Sequence, residues 1–356
     1  MPIHKFRYLS ILKEKEGELL AVERLNPSVW GMWNPLIEVL PPAPKQEKPS
    51  TNPDRKPRKV KSPGKDLADA CRADHTVFLD FEKIATDPDR AQQILIEIEA
   101  EGATAVPVVN SASPTRIRSL ARGCAQLNGG SCVVRVAYPE LSSNVKEWVP
   151  ELLAESGAKA EQSFLIVDLG ELPAGHVRNI AVTLPDLLKR FPALKKWASV
   201  TLAATGIPHI LDIPPATAER IPRTEWTLFN LVSKDVGALV RRLDFGDYAI
   251  TNPRLVDFKK HMQVSPKILY TTDSDWIVLK GKSAKRHTWE QTRGMCKNLV
   301  GLTEFLGADF SYGDHYITAC ADGESIATGQ GGVWKKVGTN HHITLVARQV
   351  ASLPGP

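Results

Sequence analysis

No run in the sequence approaches the twenty consecutive apolar residues that a membrane-spanning helix needs. The basic residues near the start are not followed by an apolar stretch and a cleavage site, so the expectation is a cytoplasmic protein with no membrane partner. Only five cysteines occur in 356 residues: Cys71, Cys124, Cys132, Cys296 and Cys320. Their number is odd, they are widely spaced and no CxxC pair exists, which argues against a zinc knuckle or a disulfide scaffold and for buried free thiols. The sequence also lacks GxGxxG, a P-loop, a GxSxG elbow, DxDxD, HxH and any RNP, zinc-finger or helix-turn-helix signature. The glycine-rich run at Gly329–Gly332 comes too late in the chain, and in the wrong pattern, to be a dinucleotide-binding turn.

The chain does have a globular composition, 42% hydrophobic and 24% charged. Its length suits two domains, or one barrel with an added region. The formal charge of +5 is unevenly placed. Residues 41–65 hold eight Lys or Arg against Glu47 and Asp54, a local +6, so the remainder sums to −1. Seven prolines and no aromatic residue in that segment predict a disordered, basic Pro/Lys-rich insertion, which could act as an arm that meets phosphates.

Short runs rich in Val, Ile, Leu and Phe recur at residues 6–12, 35–40, 76–82, 104–109, 132–138, 163–169, 199–205 and 245–251, with helical stretches between most of them. Near-continuous apolar strands separated by helices imply a parallel sheet covered on its outside. Eight units in about 250 residues match a (β/α)8 TIM-like barrel. The expected organisation is a barrel over 1–253 and an α+β lobe over 254–356 packed on it. In the lobe, 267–271 and 275–280 predict a hairpin and 288–300 a helix, while 315–320 and 342–348 look extended.

In such a barrel the working face lies at the carboxyl ends of the strands. Glu38, Asp80, Arg135 and Asp168 are charges within otherwise apolar strands, at or near those ends. A buried charge there must be paired, bind an ion or face the mouth. Alternation places Asp80 on the face of Phe78 and Arg135 on the face of Val133, without saying whether that face is inward. Lys13 after the first strand and Asp247 in the last complete the candidate catalytic set. Tyr248, Arg293, Trp334 and His342 are the candidate substrate-binding residues. On an extended segment His341 and His342 would point to opposite faces. No cofactor is expected; Mg²⁺ is the ion that a set of two or three carboxylates would take.

Several segments resemble the "beta protein" family, named after a bacteriophage T4 protein and common in bacteria and phages. They are YLSILKEKEGELLAVERL at 8–25, NPLIEVLP at 34–41, FGDYAITNP at 245–253, ILYTTDSDWIVLKG at 268–281 and VWKKVGTNHHITLV at 333–346. The resemblance implies a barrel-like body with a distinctive carboxyl-terminal part, but no agreed reaction or catalytic set. It also implies a setting of phage–host conflict or antiviral defence. Within the matched segments, Lys13, Glu18, Glu38, Asp247, Tyr248, Arg293 and His342 would meet at one mouth, completed by the tail.

Three functions fit this reading. One is a phage- or defence-associated protein binding a phosphate-bearing polyanion, foremost nucleic acid. Another is a hydrolase or phosphodiesterase with Glu38, Asp80 or Asp168 as base, and Lys13 and Arg135 offsetting charge. The third is a non-catalytic scaffold for a phage or host protein. Convergent charges at the mouth would favour a site, and splayed charges a scaffold.

Overall fold

The computed structural model describes residues 7–42, 64–239, 241–255, 264–324 and 328–353. Most of the basic insertion expected at 41–65 therefore lies outside the described residues.

Eight parallel strands close into a barrel. They are β1 (Tyr8–Lys13), β2 (Trp33–Glu38), β3 (Thr76–Asp80), β4 (Thr104–Val109), β5 (Val133–Ala137), β6 (Phe164–Glu171), β7 (Ser199–Thr205) and β9 (Asp244–Asp247). β9 pairs with both β7 and β1 and so closes the ring. The helices of the barrel segment are α1 (Glu16–Glu23), α2 (Pro27–Trp30), α3 (Lys65–Ala70), α4 (Pro88–Ala100), α5 (Thr115–Leu127), α6 (Val145–Glu155), α7 (Val177–Lys189) and α8 (Thr224–Leu239). Leu9, Ile11, Leu36, Phe78, Val106, Val133, Phe164 and Ile166 fill the barrel interior, and their strand neighbours pack outward under the helices. That is the alternation expected of strands buried on both faces. The interior residues include Phe78 and Val133, so the face they share with Asp80 and Arg135 is the inner one.

One strand was not foreseen. β8 (Thr217–Pro222) lies between β7 and α8 but leaves the barrel to join the carboxyl-terminal lobe. There it pairs antiparallel with β11 (Asp275–Lys280), which also pairs with β10 (Lys267–Thr271). The hairpin is as expected, and it gains a third strand from upstream. The rest of the lobe is α9 (Ala284–His287), α10 (Gln291–Val300), α11 (Tyr312–Asp322) and α12 (Gly331–Ala351).

The segments at 315–320 and 342–348 are helical, not extended. α11 begins with the Ser311 side chain accepting from the Asp314 N–H, and ends at Gly323 with φ +78°. In α12 the run from Val337 to Ala347 is buried on every side. A helix buried all round, with apolar and polar side chains mixed on every face, shows no amphipathic stripe, and its Val, Ile and Thr then read as strand.

α12 packs against α1, α11 and β10. Asn340 staples three of these elements, donating to the Ala21 carbonyl at 3.0 Å and accepting from the Gly313 N–H at 3.1 Å. Glycine allows the closest approach: a Cβ on Gly338 would stand 2.8 Å from the Leu269 carbonyl oxygen. Gly338→Ala is therefore expected to push α12 off β10 and cost about 1–3 kcal/mol. A urea titration checks this; an unchanged midpoint would mean the two elements separate freely.

All five cysteines are buried and free. Among the described residues no helix is long and apolar enough to cross a membrane.

Candidate functional site

The strand register sets the site. Lys13 lies opposite Glu38, and Glu38 opposite Asp80, so β1, β2 and β3 each end on an inward-facing charged residue in one row. Arg135 on β5 reaches across the mouth toward them. Its Nη1 donates to Asp80 Oδ2 at 2.6 Å and to Glu38 Oε1 at 3.1 Å. Its Nε and Nη2 donate to Asp168 Oδ2 at 3.0 and 2.7 Å, and Nη2 also donates to the Tyr248 hydroxyl at 2.8 Å. A guanidinium has five N–H groups, and these five bonds engage all of them.

The acceptors are fixed in turn. Asp80 Oδ1 accepts the Glu82 N–H, Asp168 Oδ1 accepts the Gly170 N–H, and the Tyr248 hydroxyl donates to Asp168 Oδ2 at 2.6 Å. Burial works against the charge on Arg135, but Tyr248, Asp168, Asp80 and Glu38 around it hold the guanidinium firmly protonated. Burial also drives the Tyr248 hydroxyl well above its ordinary value, against the pull of Arg135. Both groups keep their protons at neutral pH.

Glu38 is the exception in this network. It is 4% exposed, and its Oε2 accepts no hydrogen bond. The nearest cations are Lys83 Nζ at 3.6 Å and Lys13 Nζ at 4.0 Å. Lys13 is itself buried and donates to the Asn252 carbonyl at 2.7 Å. Its burial lowers its pKa from the ordinary lysine value, and Glu38 opposes that shift.

Glu38, Lys83, Arg135, Asp168 and Tyr248 open onto a cavity of about 470 Å³, lined also by Glu82, Asn110, Ser111, Glu140 and Pro253. That volume falls within the range of small-molecule sites. Asn110 donates to Glu82 at 3.0 Å and Ser111 to Glu140. Lys83 and Glu140 were not singled out from the sequence. Each sits in the short turn following a strand, three residues past Asp80 and past Ala137, and that position is the signal that could have found them.

Five of the candidates thus converge at the mouth with Tyr248: Lys13, Glu38, Asp80, Arg135 and Asp168. Asp247 does not. It neighbours Tyr248 on the chain but points away from the cavity, into a second network that is fully buried. Its Oδ1 accepts from the Tyr8 hydroxyl at 3.0 Å and the Ala249 N–H at 2.9 Å, and its Oδ2 meets His342 Nε2 at 2.9 Å. His342 Nδ1 meets Thr271 Oγ1 at 2.8 Å. Nearby, Arg223 pairs with Glu225 at 3.2 Å, and burial raises the Glu225 carboxyl to about 7. Glu18 is also buried, its carboxylate accepting the Lys13 N–H at 2.6 Å. Arg293 donates to the Cys320 and Glu324 carbonyls, and Trp334 to the Thr328 carbonyl, within the lobe. The tail braces the barrel from outside and brings none of Arg293, Trp334 and His342 to the mouth.

The expectation that His341 and His342 lie on an extended segment is corrected here, since both belong to α12. They still diverge: His341 Nδ1 meets Asp314 at 2.8 Å, inside the lobe. Among the described residues, no group of three or more His, Cys, Asp or Glu side chains is disposed to hold a metal ion. At the mouth Glu38, Asp80 and Asp168 are turned onto Arg135, whose guanidinium takes the central place.

No curated protein matches the chain. A family model described as Beta protein matches residues 8–348, a span that includes every barrel strand, the mouth and most of α12. The chain belongs to the beta protein family.

Proposed function

We propose that the barrel mouth is a small-molecule site and that Glu38 is the group that meets the ligand. The observation that carries this reading is the Glu38 Oε2 atom, buried, without a hydrogen bond, and at the edge of a cavity of about 470 Å³. A buried carboxylate oxygen lacking a donor costs about 1–3 kcal/mol, and a ligand that donates to it recovers that cost. Convergence of charges within hydrogen-bond reach favours a site over a bare scaffold. If the site turns over its ligand, Glu38 is the acid–base group, and Asp80, Arg135, Asp168 and Tyr248 fix its position.

The phosphate-directed readings are weaker at this place. Arg135 has no N–H left for a phosphoryl oxygen, and Glu82, Glu140 and Asp168 would repel one. Nucleic-acid binding rests on the basic composition of segment 41–65 and on the phage or defence setting.

A thermal-shift screen of small polar compounds tests the proposal. Compounds that raise Tm in the wild type are expected to lose most of that effect in Glu38→Gln. The reading fails if no compound shifts Tm, or if every shift survives in Glu38→Gln. Nucleic-acid binding at low salt that is unaltered by Glu38→Gln would locate that activity elsewhere on the chain.

A further inference from the structure

We infer that the ligand of the mouth is an organic cation bearing a primary ammonium or guanidinium group, and that Lys83 covers the same carboxylate oxygen until the ligand displaces it. This rests on the small-molecule reading above and adds the chemical class.

Charge is the first argument. Among the side chains lining the cavity, Glu38, Glu82, Glu140 and Asp168 carry four negative charges against the two positive charges of Lys83 and Arg135. Counting Asp80 and Lys13 just behind them leaves the same balance of −2. Displacing Lys83 makes it −3. An anion entering here would meet repulsion, whereas a cation would reduce the excess of negative charge.

Hydrogen-bond capacity is the second. Arg135 gives its five N–H bonds to Glu38, Asp80, Asp168 and Tyr248. Tyr248, Asn110 and Ser111 each already donate to a carboxylate. The unmet demand is for a donor, at Glu38 Oε2. A neutral polyol brings acceptors as well as donors, and those acceptors would find few free N–H or O–H groups. Ammonium and guanidinium groups bring donors alone.

Lys83 is the third. Its Nζ stands 3.6 Å from Glu38 Oε2, beyond hydrogen-bond distance, and its side chain is 30% exposed at the rim. It places an ammonium beside the oxygen that needs one, on a flexible stem that can swing into solvent. Lys13 cannot do the same, because it is buried and held by the Asn252 carbonyl.

Calorimetric titration of the full chain tests this, with agmatine and spermidine as cations, glucose as the neutral polyol and inorganic phosphate as the anion. The cations are expected to bind, with no detectable heat for glucose or phosphate. Lys83→Met, at the exposed rim, removes the competitor and is expected to tighten agmatine binding by about three- to tenfold. Glu38→Gln is expected to weaken it at least about tenfold, with circular dichroism checking that this variant folds. Phosphate or glucose binding without the cations overturns the cation class and leaves the small-molecule site standing. Failure of both cations to bind wild type and Lys83→Met overturns the class as well. Weaker agmatine binding in Lys83→Met overturns the displacement.

Discussion

Arg135→Met is expected to lower folding stability by about 3–5 kcal/mol at pH 8, the usual cost of removing one partner from a buried ion pair. This site is more exacting than a pair. Glu38, Asp80 and Asp168 lose their common cation together, and the Tyr248 hydroxyl loses a donor. Methionine fills much of the space, so the loss is electrostatic more than a matter of cavity. Without the guanidinium the three carboxylates are left facing one another across the mouth. Arg135→Lys should recover little, since an ammonium has three donors and no planar fork to replace five bonds. Urea titrations of the three proteins at pH 8 measure this. A deficit under about 1 kcal/mol would show that the mouth network is dispensable for folding.

Asp247→Ala is expected to cost a similar amount, about 3–5 kcal/mol, by a different route. The Tyr8 hydroxyl, the Ala249 N–H and His342 would each lose a partner in an interior that water does not reach. The contact also ties the barrel to α12, so the lobe should loosen with it. A double-mutant cycle with His342→Leu should give a coupling of about 1–3 kcal/mol, and no coupling would mean the two side chains act independently.

Acid adds a signature to this second network. Burial lowers the pKa of His342, and Asp247 opposes that shift only in part. A histidine depressed below its unfolded value of about 6.5 contributes stability above that pH and loses it as pH falls. Glu225, raised to about 7, acts in the opposite sense: its contribution is complete below about 4.5 and is lost as pH rises through 7. His342→Leu should therefore remove acid sensitivity that sets in below about pH 6.5, while Glu225→Gln should change the response between about pH 4.5 and 7.

The barrel was legible because its strands are buried on both faces and carry the apolar runs such burial demands. The strand-end charges were legible for a related reason: Asp80 and Arg135 stand out in runs that otherwise exclude charge. The alternation rule held more than was drawn from it. Asp247 and Tyr248 are consecutive, so only one could face the mouth, and it is Tyr248. β8 was not legible because its sequence, TAERIP, is mostly exposed and gains its strand character from pairing with β11 more than fifty residues later. α12 was misread because burial on all sides removed its helical period. The saturation of Arg135 is a matter of geometry among four strands and a turn residue, which no local pattern encodes.

The contact between α1 and α12 sets the order in which the chain can mature. Asn340 reaches the Ala21 carbonyl across 319 residues. During synthesis α1 emerges before seven of the eight barrel strands, and its partner helix leaves the ribosome only after all of them have appeared. Val22 of α1, which shares a core cluster with Ile343 and Val346 of α12, must therefore wait for that helix, or be shielded by a chaperone, until the chain between them has been made. Completion of the carboxyl-terminal lobe is then the event that commits the nascent protein to its final shape.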